Sequence, residues 1–219
     1  MTDALWTLEC EAWERGATRL AGIDEVGRGP LAGPVVACAY LIPVRPARFP
    51  LVNDSKQLSE RNREELAAAL RMFAGAGIGL GVVEPALIDQ INILRATHLA
   101  MRRAVENLPM RPDFVLVDGR PVPGLPVPSR AIVKGDSKSA AIAAASIVAK
   151  VYRDHLMTDY DKQYPGYGFA AHKGYGTQAH LAALADLGPS PIHRRTFAPV
   201  RRLIEGALTQ LEFEFHNDP

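Results

Sequence analysis

Ala21-Gly22-Ile23-Asp24-Glu25-Val26-Gly27-Arg28-Gly29-Pro30-Leu31-Ala32-Gly33-Pro34 sets two adjacent acids at the end of an apolar entry, then a basic side chain between two glycines. Residues 19–25 read as a strand, and the apolar run Val35–Leu41 marks a second over 34–42. A strand that delivers paired carboxylates to a glycine-flanked arginine fits a metal site beside a phosphate grip. A charged β-turn accounts for the same residues, since Gly, Asp and Pro dominate turns. The rest of the chain must separate the two.

Two further acids stand in the same setting. Phe114-Val115-Leu116-Val117 is a short apolar strand ending at Asp118-Gly119, and a strand over 130–133 closes at Lys134-Gly135-Asp136. If the first and fourth strands are neighbours, Asp24 and Asp118 meet at one edge of the sheet. Each acid taken alone could be a turn residue. Crowding them is costly: two carboxylates about 4 Å apart repel by roughly 4 kcal/mol at an effective dielectric of 20. A pocket of Asp24, Glu25, Asp118 and Asp136 is therefore tolerable only around something positive. Oxygen-only ligands select a hard cation, Mg²⁺ or Mn²⁺. Two such ions about 3.5–4 Å apart can activate water and stabilise the leaving oxygen of a phosphodiester. The histidines offer no rival, because none forms a His-x-x-x-His pair.

The surrounding pattern is that of an α/β protein. Helices are expected over 3–17, 59–73, 85–107, 138–159, 177–187 and 197–211, with a third strand at 78–83 and a four-proline loop at 121–128. The resulting expectation is a mixed five-stranded sheet flanked by helices in residues 1–160, with a helical C-terminal extension in 161–219 packed on it. Lys plus Arg is 25 against 24 for Asp plus Glu, a net +1. That excludes a protein held to nucleic acid by bulk charge, so a polyanion must meet a local basic patch. Cys10 and Cys38 form no metal spacing or disulfide framework. There is no signal peptide and no membrane-length apolar run, so a cytoplasmic protein is expected; separately, a monomer is expected, though no motif fixes the oligomeric state.

Several stretches face a substrate on this reading. Arg28 offers a guanidinium fork to phosphate, while Gly27 and Gly29 let the main chain approach a ligand. Ser55 and Lys56 stand at a helix N-terminus, a natural anion seat, or a plain cap. Ser137, Lys138 and Ser139 repeat that arrangement at the start of the long helix. Tyr164–Thr177 interleaves aromatics with glycine and base, as a nucleic-acid surface or as a loop pinned by buried tyrosines. His193-Arg194-Arg195 adds local positive charge.

These motifs together resemble bacterial type 2 ribonuclease H (the ribonuclease HII family). They are Asp24–Gly29, Asp54–Ser59, Asp118-Gly119, Lys134–Ser139, Ala143–Lys150, His172–Thr177 and His193–Phe197, in order over about residues 18–200. The resemblance implies a ribonuclease H-like fold and cleavage of RNA in RNA–DNA hybrids. It also implies incision 5′ of ribonucleotides embedded in duplex DNA, leaving 3′-hydroxyl and 5′-phosphate ends. Asp24, Glu25, Asp118 and Asp136 would hold the ions, Mn²⁺ or Mg²⁺. Gly27, Arg28 and Gly29 would recognise the ribose 2′-hydroxyl and its phosphate, and Tyr175 would test the sugar at the junction. Gln210–Phe215 faintly resembles a sliding-clamp-binding peptide, or simply ends the last helix. Rival classes are a non-catalytic nucleic-acid-binding module, a junction resolvase of the same fold, and a Ser–Lys hydrolase using Ser137 and Lys138. The last lacks a Gly-x-Ser-x-Gly elbow.

Overall fold

A computed structural model describes residues 4–44, 49–50 and 59–206. Five strands, β1 (Leu20–Val26), β2 (Val35–Ile42), β3 (Gly77–Val83), β4 (Phe114–Asp118) and β5 (Ser129–Ile132), form one sheet in the order β3-β2-β1-β4-β5. The β1–β2 and β2–β3 pairs are antiparallel, whereas β1–β4 and β4–β5 are parallel. The sheet is mixed, as expected, and β1 has β4 as its parallel neighbour.

Alternation along the strands assigns each face a helical layer. Leu20, Cys38, Tyr40 and Leu116 pack beneath α1 (Thr7–Glu14), α2 (Glu60–Arg71) and α5 (Ala140–Gln163). Ala21, Ile23, Ala39, Val115 and Val117 pack beneath α4 (Ile93–Glu106), which follows the short α3 (Pro85–Ile91). Each fully buried Leu or Ile among them contributes about 1.5–3 kcal/mol. α6 (Phe169–His172), α7 (Gln178–Leu187) and a helical stretch at 198–206 close the chain. No helix of the described residues is long and apolar enough to cross a membrane.

The alanine-rich start of α5 exists to come close. A Cβ on Gly22 would lie 2.2 Å from the Ala141 carbonyl carbon, so helix and strand backbones touch there. Two strand residues advance about 6.6 Å and four to five helical residues about 6–7.5 Å. Contact between Gly22 and Ala141 therefore carries Asp24 to Ser146. Gly22→Ala is expected to cost about 3 kcal/mol or more, a fall of roughly 6–12 °C in Tm for a chain of this size. An unchanged thermal scan would contradict the close approach.

Two helix expectations need correction. The helix over 85–107 is two helices, broken at Asn92, whose φ is 67°. The Asn92 carboxamide oxygen accepts from Leu94 N at 3.0 Å and Arg95 N at 3.1 Å, so the residue ending α3 caps α4. The long helix starts at Ala140 rather than 138, capped by Ser139, after a 3₁₀ turn at Gly135–Ser137.

Candidate active site

β1 continues against β2 to Val26↔Val36, but its pairing with β4 stops at Ile23↔Val117. The sheet is therefore open beside Asp24 and Glu25, at the carboxyl ends of two parallel strands whose connections leave in opposite directions. Crevices of this kind are the usual ligand sites of open α/β sheets. Asp24 and Asp118 share the α5 face, and Glu25 reaches the same place around the open edge. One carboxylate oxygen from each of Asp24, Glu25 and Asp118 lies within 4.8 Å of the others. They line a cleft of about 430 Å³ together with Asp136, Arg63, Ser146, Lys150 and Tyr175. Asp136 borders the cleft without joining the three-oxygen group.

The triad is held from behind. Asp24 accepts from the Ser146 hydroxyl and from Glu25 N at 2.7 Å. Asp118 Oδ1 accepts from Gly135 N at 2.5 Å. Burial, reinforced by the Glu25 and Asp118 charges, pushes the Asp24 carboxyl up to about 8 despite the Ser146 bond. Burial also raises Glu25, with the Arg28 guanidinium pulling the other way. Three mutually repelling, oxygen-only donors at this spacing fit a hard divalent cation.

The glycine–arginine–glycine loop borders the triad. Arg28 Nη1 lies 3.1 Å from Glu25 Oε1. The Arg28 side chain is half-exposed and that of Glu25 mostly buried, so solvent only partly screens the pair. Tyr175 is 45% exposed and sits against Gly29, where a Cβ would lie 3.7 Å from its Cε1. The amides of Arg28 and Gly29 donate to no group among the described residues.

Other expected substrate contacts fare differently. Ser55 and Lys56, and Gln210–Phe215, lie outside the described residues. Ser137 and Lys138 are exposed, but not on a helix N-terminus; Ser137 Oγ donates to Lys134 O and Lys138 Nζ to Val133 O. The α5 N-terminus is taken by buried Glu9, which accepts from Ser139 Oγ at 2.5 Å and Ala141 N at 3.1 Å. Of the aromatics in 164–176, Tyr167 and Phe169 are buried and stacked, with ring centroids 5.1 Å apart. Of these, only Tyr175 is both exposed and on the cleft. Nor is His193-Arg194 exposed charge, because both side chains are buried.

Sequence reasoning missed the support beneath Tyr175. His193 Nδ1 accepts from Ser190 N at 2.9 Å, which leaves its proton on Nε2 to donate to His180 Nε2 at 3.0 Å. His180 then carries its proton on Nδ1 and donates to Tyr175 O at 2.9 Å. Every link needs a neutral imidazole. Burial and the neighbouring His180 depress His193 to about 4. A depressed folded pKa means stability present above 6.5 and lost as pH falls toward 4, about 3 kcal/mol in all. Thermal scans from pH 7 to 4 should show this loss, and His193→Gln should flatten it; an equally steep curve would contradict the relay.

Residues 21–200 match the family model described as Ribonuclease HII. A ribonuclease HII from Geobacter sulfurreducens is 57% identical over 199 residues, 90% of each chain. Among solved structures, the ribonuclease H2 of Pyrococcus horikoshii OT3 superposes with a TM-score of 0.72 at 29% identity, covering 85% of this chain and 97% of that one. The RNase HII of the PCNA:RNase HII complex from Archaeoglobus fulgidus gives 0.68 at 25% identity, over 82% and 95%.

Proposed function

Because this chain belongs to the ribonuclease HII family, and is thereby a metal-dependent hydrolase of the ribonuclease H type, we propose that it cuts the RNA strand of RNA–DNA hybrids and also incises duplex DNA 5′ of single ribonucleotides. The reaction is phosphodiester hydrolysis giving 3′-hydroxyl and 5′-phosphate ends. The observation that carries this reading is the juxtaposition of the Asp24–Glu25–Asp118 oxygens with the Gly27–Gly29 loop and Tyr175 around one crevice.

Asp24, Glu25 and Asp118 would hold the cations, with Asp136 contributing from the rim. The preferred arrangement is two ions, Mn²⁺ or Mg²⁺. Bound there, they supply Lewis-acid activation of the attacking water and stabilise the charge on the leaving oxygen. The protein does the rest. Ser146 and the amides of Glu25 and Gly135 hold the carboxylates in place. Arg28 turns from Glu25 toward the scissile phosphate. The 2′-hydroxyl both donates and accepts, and it alone marks a ribonucleotide among deoxynucleotides. The amides of Arg28 and Gly29, which donate to no group among the described residues, are suited to its oxygen at close range. Tyr175 lies under the adjacent sugar, where a deoxyribose fits better than a ribose. Residues 1–160 thus carry the hydrolytic centre and the Gly27–Gly29 loop, and those from 161 on add Tyr175.

The test is a digest of a DNA duplex containing one ribonucleotide, with Mg²⁺ and Mn²⁺ in turn. One cut on the 5′ side of the ribonucleotide is expected; binding without product, or a cut in an all-DNA branched duplex instead, contradicts the reading. A clamp contact through 210–215 is a second reading, favoured by the archaeal relative solved with PCNA. A clamp pull-down that fails for the intact protein removes it.

A further inference from the structure

Residues 27–34 form no helix or strand, only an isolated β-bridge from Ala32 to His193, and are held by two fully buried arginines. Arg194 Nη1 donates to Arg28 O at 2.9 Å and Nη2 to Gly27 O. On the far side of the loop, Nε and Nη2 donate to Gly33 O at 3.0 and 2.8 Å. Arg194 N donates to Leu31 O at 2.8 Å. Arg153 shares the loop's C-terminal end, donating to Ala32 O at 3.2 Å and Pro34 O at 3.0 Å, and it reaches Lys173 O at 3.0 Å. Among the described residues neither guanidinium forms an ion pair with a carboxylate. Burying a cation whose partners are neutral carbonyls is an expensive way to close a loop, and it calls for a reason beyond packing.

The geometry supplies one. The guanidinium is a rigid plane with five donors in fixed directions. Arg194 fastens both ends of the loop to one such plane, turning the carbonyls of Gly27 and Arg28 inward while the amides of Arg28 and Gly29 donate to no group among the described residues. Arg194 is itself fixed: its neighbours Arg195 N and Thr196 N donate to Asp89 on α3 at 2.8 and 3.0 Å. Its guanidinium also lies over the Phe197 ring, 5.0 Å from the centroid. We infer that Arg194 is a positioning residue for ribonucleotide recognition, holding the Gly27–Gly29 amides in the register that places the scissile phosphate over the carboxylates. This rests on the proposed role of that loop.

A lysine keeps the charge but offers one point in place of a plane, so it cannot span both ends of the loop. The test uses Arg194→Gln and Arg194→Lys in the full chain, with steady-state cleavage of the single-ribonucleotide duplex, Mn²⁺ titration and thermal scans. A displacement of about 1 Å costs on the order of 100-fold in turnover, and Arg194→Gln is expected to lose that much kcat. Arg194→Lys should lose roughly a tenth as much, with KM and Mn²⁺ affinity within about threefold of wild type in both. Folded variants with unchanged kcat, or a kcat that falls only as Mn²⁺ affinity falls, overturn the inference. So does failure of both variants to fold, which makes Arg194 a general stability element. If the wild type itself ignores the ribonucleotide, it is the loop's proposed role that fails, not the clamp.

Discussion

Asp24→Asn is expected to abolish cleavage and at the same time stabilise the metal-free protein. Even partners one step removed from a metal cost 10–100-fold when lost; removing a proposed ligand that also borders the other two should cost about 10³-fold or more. The stability effect has the opposite sign because Asp24 is pushed up to about 8, chiefly by burial and then by Glu25 and Asp118. A raised folded pKa means that the folded state holds a proton that the unfolded carboxylate releases near 4. That contribution is fully present below pH 4 and drains away as pH rises toward 8. At pH 7 the wild-type carboxylate thus weighs on the fold by on the order of 4 kcal/mol. Asn keeps the shape and the acceptor without the charge, so its Tm advantage should grow between pH 4 and 8. Excess Mn²⁺ should cancel or reverse it, by mass action on the wild type alone. Retained cleavage, or a less stable variant at pH 8, would contradict the assignment.

Gly27→Ala is expected to damage both fold and turnover. Gly27 has a φ of 88°, where an L residue costs about 1–2 kcal/mol. A Cβ there would lie 2.2 Å from Arg153 Nε and 2.8 Å from Pro34 O. Neither can yield freely, because that nitrogen donates to that oxygen. With an overpacking cost of about 1–3 kcal/mol, the total is about 2–5 kcal/mol, a loss of roughly 4–20 °C in Tm. Measured well below its own midpoint, the variant should still turn over about 100-fold more slowly, because the loop proposed to recognise the ribonucleotide is displaced. Wild-type Tm and kcat together would show that the loop tolerates the displacement.

The sheet was largely legible because its strands are apolar runs bounded by charge or glycine: Phe114–Val117 before Asp118 is the clearest. The break at Asn92 was not, since Ile88, Ile91 and Leu94 keep helical spacing straight through it. The carboxylates could be named from their setting, but their convergence depended on β1 lying beside β4, which spacing alone leaves conditional. Ser146 was hidden in an alanine-rich run, and only the approach of α5 at Gly22 puts it on Asp24. Arg194 was misread for a general reason. A buried arginine satisfied by carbonyls has no local signature, because its partners at 27, 28 and 33 lie more than 160 residues away in sequence.

The most direct test of the carboxylate site is calorimetric titration of Mn²⁺ into wild-type protein and Asp118→Asn between pH 6 and 8.5, in buffers of different ionisation enthalpy. Saturable wild-type binding is expected, with proton release at pH 7 and affinity weakening about tenfold per unit below pH 8, as a carboxyl at about 8 requires; Asp118→Asn should bind far more weakly. Affinity that ignores pH and survives that substitution would mean that the three oxygens do not form the cation site.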